Sequence, residues 1–437
     1  MIRLGFLGTH ALLLVLAATA LAIVALRRGG GRQGRNWWVT LTVLCGLTNL
    51  LYARNFPGAG FTPQDEPMEV GFALALTVSA GAAAWLPAGR RAAALLGLAW
   101  LSLLGLTAAA WTWGRDAIDV FRVVSGAAES LLHGRNPYGP IYSVTVHNAS
   151  HHVLEHFPYG PIVPILAAPG RLIGDVRVMS VVCVAAIVIG LWYLVWQGSH
   201  RPDAHRVLAI ALAMPLSVGM IHQSWVDVDM MVGIVWWLAL QRDHRRWAVV
   251  ALTIGMLAKP TALIILIPMF LWSRRSRVEI VAAAGAAVIL ALPFALMTGV
   301  GGFVYDVIGI QLVTPFRTDS LNLAAWLTDN LHVQFPSLLP VPLLLIATIL
   351  IAWKGRPRVV TELALQAAIL NVVAYIMAKQ AFFNYYYVSA VMLLVAMAGA
   401  GLPLLADDVA LPWQGLVARL RGLRGEHAER KRPVLPC

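Results

Sequence analysis

Apolar runs follow one another from residue 5 to residue 405 of this 437-residue chain. An α-helix needs about 20 apolar residues to cross a bilayer, and about thirteen runs reach or approach that length. They lie at 5–26, 37–53, 68–87, 92–112, 176–197, 207–222, 228–241, 246–258, 260–273, 278–298, 337–353, 359–378 and 384–405. The pattern therefore predicts an all-α fold, a polytopic transmembrane helical bundle. The shorter runs between 228 and 273 are compatible with tilted, kinked or re-entrant helices.

Composition agrees with a membrane protein and excludes several other classes. Only 12% of the residues are charged and the mean hydropathy is +0.73, whereas soluble domains carry about 25% charged residues. The net charge of +12 does not indicate nucleic-acid binding, because the positive charges lie in short segments between apolar runs. The three cysteines are far apart and predict neither a disulfide framework nor a zinc site.

The distribution of Lys and Arg predicts the orientation of the bundle. If the N-terminus lies outside and thirteen spans follow, every inner loop is basic and the C-terminus is cytoplasmic, as the positive-inside rule requires. The basic cluster at 27–35 then marks the first run as a membrane anchor rather than a cleaved signal peptide. Unusual polar residues gather on the outer face, in the segments 114–175, 222–229, 259, 299–336 and 379–387. Charged groups near a bilayer are costly and usually mark function.

The outer segment 114–175 begins with a pair of carboxylates. Asp116 and Asp119 are three residues apart and face the same way if the backbone is helical. The apolar periodicity of 118–132 predicts a helix along the membrane surface, with Arg122 in its first turn. Asp119 stands at the start of this helix, where the helix dipole favours a carboxylate. It is therefore a candidate catalytic base, and a simple helix cap is the alternative.

Two proline turns follow in the same segment. Asn136-Pro-Tyr138 forms the first, and 157–161, with Tyr159 at its centre, forms the second. Between them His152 and His156 have the i, i+4 spacing that can bind a metal ion from one helical face. An exposed polar loop explains these histidines equally well.

The remaining outer segments supply further polar side chains. His222, Gln223 and Asp227 lie where one apolar run ends and the next begins, and they can either orient a sugar or form interhelical hydrogen bonds. Lys259 and Arg317 call for an anionic partner, a carboxylate or a phosphate. Asn384 and Tyr385 open an aromatic patch that is also compatible with an interfacial aromatic belt.

Four stretches together resemble a known enzyme family. They are Asp119 to Tyr138, the Phe-Pro-Tyr-Gly-Pro turn at 157–161, His222-Gln to Asp227 with Ala-Lys-Pro-Thr at 258–261, and Asn-Tyr-Tyr-Tyr at 384–387. The chain resembles the multi-spanning GT-C glycosyltransferases that use lipid-phosphate sugars. It is most similar to bacterial polyprenyl-phosphate-mannose-dependent transferases (family 87-like). It departs from their pattern in the Gly between Tyr159 and Pro161, and in the four helices that precede residue 114.

The resemblance implies a domain organisation and an activity. Residues 1–113 are a four-helix addition, 114–405 a catalytic transmembrane module whose outer loop is 114–175, and 406–437 a basic cytoplasmic tail. The implied reaction moves a mannose-like hexose or a pentose, with inversion, from a polyprenyl-phosphate sugar to a hydroxyl of a cell-envelope glycan or glycolipid. The implied location is the outer face of the bacterial inner membrane, and neither a cofactor nor a nucleic-acid partner is expected. The resemblance does not specify whether the reaction requires a divalent metal ion.

The resemblance also implies residue roles. Asp119, with Asp116 as the second choice, is the general base, and Lys259 with Arg122 or Arg317 stabilises the leaving phosphate. The remaining expected substrate contacts are Asn136, Tyr138, Tyr159, His222, Gln223, Asp227, Asn384 and Tyr385.

Two other functions are compatible with the pattern, and a third accounts for it least well. A transporter or flippase of an anionic lipid or sugar would also hold charges between helices, but it typically shows inverted repeats and charges at mid-membrane. A polymerase or ligase that uses lipid-pyrophosphate glycans would differ in its donor. A non-catalytic scaffold does not explain the convergence of polar residues on one face.

Overall fold

The computed structural model describes most of the chain between residues 35 and 404. The described residues are 35–55, 66–113, 119–145, 152–198, 203–214, 217–313, 316–317, 320–333, 335–336, 338–354 and 357–404. The predicted first run at 5–26, the candidate Asp116 and the predicted tail at 406–437 lie outside them. The division of the chain at residue 113 stays a prediction.

Helices make up most of the described chain. They are α1 Arg35–Asn55, α2 Glu66–Trp85, α3 Arg90–Trp113, α4 Asp119–Leu132, α5 Ile162–Leu172, α6 Arg177–Gln197, α7 Ala204–Ala213, α8 Ser217–His222, α9 Asp227–Leu240, α10 Arg245–Ala258, α11 Ala262–Trp272, α12 Arg274–Thr298, α13 Val300–Val304, α14 Ile310–Val313, α15 Leu323–Leu331, α16 Pro340–Lys354, α17 Val360–Ile376 and α18 Phe383–Ala398. A π-helical turn, Tyr305–Gly309, joins α13 to α14. Two short antiparallel strands, β1 Tyr142–Thr145 and β2 His152–Glu155, form a hairpin between α4 and α5.

The predicted helical bundle is confirmed in its main features. Each predicted apolar run within the described residues coincides with a helix, although the run at 207–222 is divided into α7 and α8. Among these helices, four are long and apolar enough to cross a membrane, at 68–85, 90–109, 177–197 and 274–298. The count of thirteen spans and their orientation stay predictions.

The core of the bundle surrounds α9. Its Met230, Ile234 and Trp237 are fully buried, and the helix packs against α6, α10 and α18. It approaches α10 closely because glycines face each other. A Cβ at Gly233 would lie 2.3 Å from the backbone nitrogen of Gly255, so no larger residue fits there.

Hydrogen bonds sort the connections of the bundle into two ends. At one end, which we call the basic end, Gln197 bonds to Asp243 and the Arg206 guanidinium donates to the Ala84 carbonyl. At the other, the polar end, the loop before α5 bonds to the end of α10. Where the structure describes them, the predicted inner loops contribute to the basic end, and the predicted outer segments contribute to the polar end.

The segment between α4 and α6 differs from the prediction in two ways. His152 lies in strand β2 and His156 follows that strand, so the two histidines do not share a helical face. Among the described side chains, no group of three or more metal-binding residues is present. In addition, α5 is an apolar helix of 11 residues in the outer segment 114–175, and it is not among the predicted apolar runs. Run length missed α5 because it is far shorter than the roughly 20 residues of a span.

Candidate active site at the polar end

A buried ion pair stands at the centre of the polar end. The Lys259 ammonium lies 2.9 and 3.0 Å from the two carboxylate oxygens of Asp227, and both residues are buried. Asp227 is the first residue of α9, and Lys259 directly follows α10 in extended backbone. The extended conformation is favoured because Pro260 comes next in the chain. Two helix ends thus place opposite charges in contact.

The first turn of α18 completes this pair. Asn384 Nδ2 donates to Asp227 Oδ2 over 2.7 Å, and the Tyr385 ring lies 4.4 Å below the Lys259 ammonium. Because Asp227 is the acceptor, the amide nitrogen of Asn384 faces it and the amide oxygen points elsewhere. That oxygen is buried and has no hydrogen-bond partner among the described residues. Buried acceptors normally have a partner, so it is suited to a ligand hydroxyl or a water molecule.

Two residues of α17 hold this turn in place. Asn371 Nδ2 donates to the Tyr385 carbonyl and to Ser389 Oγ, over 2.8 Å each. One turn further on, the Tyr375 ring packs on the Tyr385 ring with a centroid distance of 4.2 Å. Sequence analysis did not single out Asn371 or Tyr375. The available signal was an Asn inside an apolar run, since polar groups within membrane helices are costly.

Arg317 and Asn322 are each fastened to the stretch that precedes α18. Arg317 N donates to the Lys379 carbonyl over 2.9 Å, and Asn322 Nδ2 donates to the Ala378 carbonyl over 2.6 Å. The Arg317 guanidinium lies 4.6 Å from the centroid of the Phe382 ring. Phe382 and Tyr385 are three residues apart, so Arg317 and Lys259 are each held against a ring of the same short stretch.

Asp119 begins α4 and approaches this group from the outer loop. Its Oδ1 accepts a hydrogen bond from the backbone N–H of Val120 over 2.9 Å, and its side chain is partly exposed. Asp119 and Arg317 both lie within electrostatic reach of the Tyr385 hydroxyl. Arg122 lies in the same helical turn as Asp119 and is also partly exposed. Asp119 thus lies on the same side of the bundle as Tyr385, whose ring contacts Lys259.

His222 and Gln223 are buried just before α9. Gln223 Nε2 lies 3.1 Å from His222 Nδ1. His222 also interacts electrostatically with Arg177, whose guanidinium is held by Asp175 and stacks 4.7 Å from the Phe121 ring of α4. The sequence analysis did not select Arg177, although a charged pair at the start of an apolar run was visible. These contacts link the α8–α9 turn to the surface helix α4.

Asn136, Tyr138 and Tyr159 fasten the outer loop to the bundle. Asn136 Nδ2 donates to Thr298 Oγ1, and the Tyr138 hydroxyl donates to the Tyr159 carbonyl, over 2.7 Å each. Tyr138 is buried, and its ring contacts Phe303 edge-on at 4.7 Å between centroids. The contacts with Thr298 and Phe303 position the loop. A role of these three residues in substrate binding stays a prediction.

Gly160 lies where the outer loop meets the backbone next to Lys259. Its backbone N–H donates to the Ala258 carbonyl over 3.1 Å, next to Lys259. A Cβ at Gly160 would lie only 1.6 Å from the Leu257 carbonyl oxygen. Only glycine allows this approach, so the outer loop contacts the backbone that carries Lys259.

Asp306 is a further buried carboxylate at this end that the sequence analysis missed. It lies in the π-helical turn, and its Oδ1 is 3.4 Å from Nδ1 of His156. Burial raises the pKa of Asp306 above its ordinary value, and the charge of His156 opposes that rise. A lone Asp in the apolar stretch 300–313 was the signal available in the sequence.

Comparison with known proteins adds no assignment to this geometry. A scan against protein-family models finds no match, a search of curated proteins finds no similar chain, and a search of solved structures finds no similar fold.

Proposed function

We propose that this protein is a membrane glycosyltransferase. It transfers a mannose-like hexose or a pentose from a polyprenyl-phosphate sugar to a hydroxyl of a cell-envelope glycan or glycolipid. The observation that carries the proposal is the group at the polar end, where Asp227 contacts both Lys259 and Asn384. Asp119 and Arg317 lie within electrostatic reach of the neighbouring Tyr385. Carboxylates, cations and a free amide oxygen are the groups that such a reaction needs.

Each group has a place in the reaction. The acceptor oxygen attacks the anomeric carbon, the bond from that carbon to the phosphate oxygen breaks, and the acceptor proton passes to Asp119. The lipid phosphate leaves with an added negative charge, which cations stabilise. Because Asp227 already neutralises Lys259, we assign the first phosphate contact to Arg317, assisted by Arg122, and a supporting electrostatic role to Lys259.

The amide oxygen of Asn384 supports a sugar as the transferred group. This buried acceptor needs a donor, and a sugar hydroxyl supplies one beside the Asp227 carboxylate. The proposed topology has about thirteen spans, with the N-terminus outside and the C-terminus in the cytoplasm. The polar end then faces away from the cytoplasm of a bacterial inner membrane, where a lipid-linked donor and a glycan acceptor can meet.

The test is transfer of labelled sugar from polyprenyl-phosphate sugars in membranes that contain the protein. Asp119→Asn keeps the size and hydrogen bonding of the side chain but removes the base, so we expect a loss of about 100-fold or more. Asp243→Asn, at the basic end, is the matched control and should retain activity. Equal transfer by wild type and Asp119→Asn would remove Asp119 as the base. Failure of the wild type to consume any polyprenyl-phosphate sugar would overturn the proposal.

A transporter or flippase of an anionic lipid or sugar is the second candidate. The burial of the Asp227–Lys259 pair between three helices favours it, because intramembrane ion pairs also mark substrate pathways. Reconstituted vesicles distinguish the two functions. Movement of labelled polyprenyl-phosphate sugar across the bilayer without bond cleavage, unchanged by Asp119→Asn, would favour transport. A pyrophosphate-linked glycan in the same donor panel tests the polymerase or ligase alternative.

A further inference from the structure

The helix α5 has two apolar faces. Its buried face contains Val163, Pro164, Ala167 and Ala168. Its exposed face and the residue after it contain Ile165, Pro169, Leu172 and Ile173, which follow one another at steps of four, three and one residues along one side. Ile165 is 45% exposed, and Leu172 and Ile173 are each 72% exposed. The exposed side of this helix therefore carries no polar residue.

This pattern fits neither of the two usual positions of a helix in a membrane protein. A helix on an aqueous surface has a charged or polar outer face, whereas the only charged residue of α5 is Arg171 in its last turn. A helix that spans a bilayer needs about 30 Å, whereas 11 residues reach roughly 16 Å. An apolar helix of this length is suited to the boundary between headgroups and acyl chains.

The surroundings of α5 indicate where that boundary lies. The helix packs beside α4 at the polar end, and Arg171 forms an ion pair of 2.6 Å with Glu129 at the far end of α4. Glu129 also interacts with His133, whose side chain is 58% exposed. Arg135 is exposed in the turn that follows α4. A polar and partly basic rim thus borders the apolar face, which matches the phosphate layer of a membrane.

We propose that the face formed by Ile165, Pro169, Leu172 and Ile173 is embedded in the phospholipid interface. In this arrangement Arg135 and Arg171 lie at the level of the lipid phosphates, and α4 is held at the membrane surface through its packing on α5. The proposal does not depend on the activity proposed above. It adds a second element at the membrane surface, residues 162–173, to the helix that the sequence predicts there at 118–132.

Spin labels on the full-length protein test this arrangement. Single cysteines at Ile165 and Leu172, in a chain whose native cysteines are replaced by alanine, are labelled after reconstitution into phosphatidylcholine–phosphatidylglycerol vesicles. Collisions with oxygen report a lipid environment, and collisions with a water-soluble nickel chelate report an aqueous one. Ile289→Cys, on the 69% exposed position of α12, is the lipid control. Asp243→Cys, in the exposed turn between α9 and α10, is the aqueous control.

We expect the labels at Ile165 and Leu172 to collide more with oxygen than with nickel, as at Ile289 and unlike Asp243. Nickel accessibility equal to that at Asp243 would overturn the proposal. Low accessibility to both reagents, with spin–spin broadening, would also overturn it, because a second copy of the chain would then cover the face.

A second measurement uses the unmodified chain and does not depend on the folding of variants. Phosphatidylcholine with a photoactivated diazirine in its acyl chain is cross-linked to the reconstituted protein, and the labelled peptides are mapped by mass spectrometry. Labels within 162–173 are expected. Labels confined to α6 and α12, with none in 162–173, would contradict the embedded position.

Discussion

Two buried carboxylates at opposite ends of the bundle have different surroundings. At the basic end, Glu279 is 1% exposed and accepts hydrogen bonds from four side chains: Trp237 Nε1 at 2.9 Å, and Gln241 Nε2, Arg245 Nε and Arg275 Nε at 3.2 Å each. At the polar end, Asp227 is paired with Lys259 and Asn384. The amide oxygen of Asn384 next to it lacks a partner among the described residues.

The difference separates a structural role from a functional one. Glu279 connects α9, α10 and α12 through donors that satisfy both of its oxygens, so a ligand has nothing to gain there. Asp227 belongs to a network with an unused buried acceptor, which is costly unless something binds it. Burial of a charged group alone therefore does not identify a functional site. A functional site is identified by asking whether each buried polar atom has a hydrogen-bond partner.

The largest expected effect concerns the single cation of the Asp227 pair. Lys259→Met leaves Asp227 buried without its partner, and removing one member of a buried ion pair costs about 3–5 kcal/mol. We expect a denaturant titration of the protein in detergent to show this loss in the free energy of unfolding. Arg245→Met is the matched variant at the basic end. It should cost less, because Glu279 keeps three donors and Arg245 is 53% exposed.

A double variant distinguishes loss of the pair from loss of packing at Lys259. Asp227→Asn combined with Lys259→Met removes both charges, so it should be more stable than Lys259→Met alone. Additive losses from the two single variants would show that the charges do not interact in the folded protein.

The next largest effect is expected where the outer loop contacts the backbone next to Lys259. Gly160→Ala places a Cβ against the Leu257 carbonyl, so the loop or the Lys259-bearing backbone must move, at a cost of about 1–3 kcal/mol. Gly139→Ala is the control, because the nearest atom to its Cβ would be 3.8 Å away. We expect a lower melting temperature and weaker sugar transfer for Gly160→Ala alone. Equal behaviour of the two variants would mean that the loop does not position Lys259.

Glu279→Gln tests the structural side of the comparison. The amide keeps the size of the carboxylate but replaces one acceptor oxygen with a donor, which we expect to reduce stability by about 1–3 kcal/mol. Sugar transfer per folded molecule should stay at the wild-type level, because Glu279 lies at the opposite end from Asp119. A fall in transfer without a fall in stability would assign a functional role to the basic end.

Sequence reasoning predicts the helices well because membrane spans are defined by long apolar runs, which are local. It also predicts which polar segments meet, since the loops alternate between two ends. It cannot predict which atoms pair. The contact of Asp227 with Lys259 depends on a separation of 32 residues, and the contact with Asn384 depends on a separation of 157 residues. Nothing local in the sequence fixes either.

The residues that sequence reasoning missed have a common physical reason. Asn371 and Asp306 are single polar residues in apolar stretches. A prediction from the hydropathy of a whole stretch does not register one polar side chain. The helix α5 is too short to register as a span. The spacing of four residues between His152 and His156 allowed a helical metal site or an exposed loop, but the hairpin β1–β2 sets an extended backbone at His152. Cross-strand pairing with residues seven to thirteen positions away determines that backbone and leaves no local signal in the spacing.

Asp306 is intermediate between Glu279 and Asp227 in its surroundings, and its substitution has the smallest expected effect. It is a buried carboxylate near a single histidine, and its pKa in the folded protein is raised above the ordinary 3.8 by burial. A raised pKa means that the folded state binds the proton more tightly, so this contribution to stability is present at low pH and is lost as pH rises through the folded pKa. In Asp306→Asn that loss is absent.

We therefore expect the stability of Asp306→Asn relative to wild type to increase as pH rises from about 4, by about 1 kcal/mol or less because the pair with His156 is partly exposed. Melting temperatures of both proteins between pH 4 and pH 7 measure this difference. His156→Gln should enlarge the pH dependence, because it removes the positive charge that opposes the rise in pKa. A constant difference between wild type and Asp306→Asn would place Asp306 with Glu279, as a carboxylate whose charge is fully compensated by its surroundings.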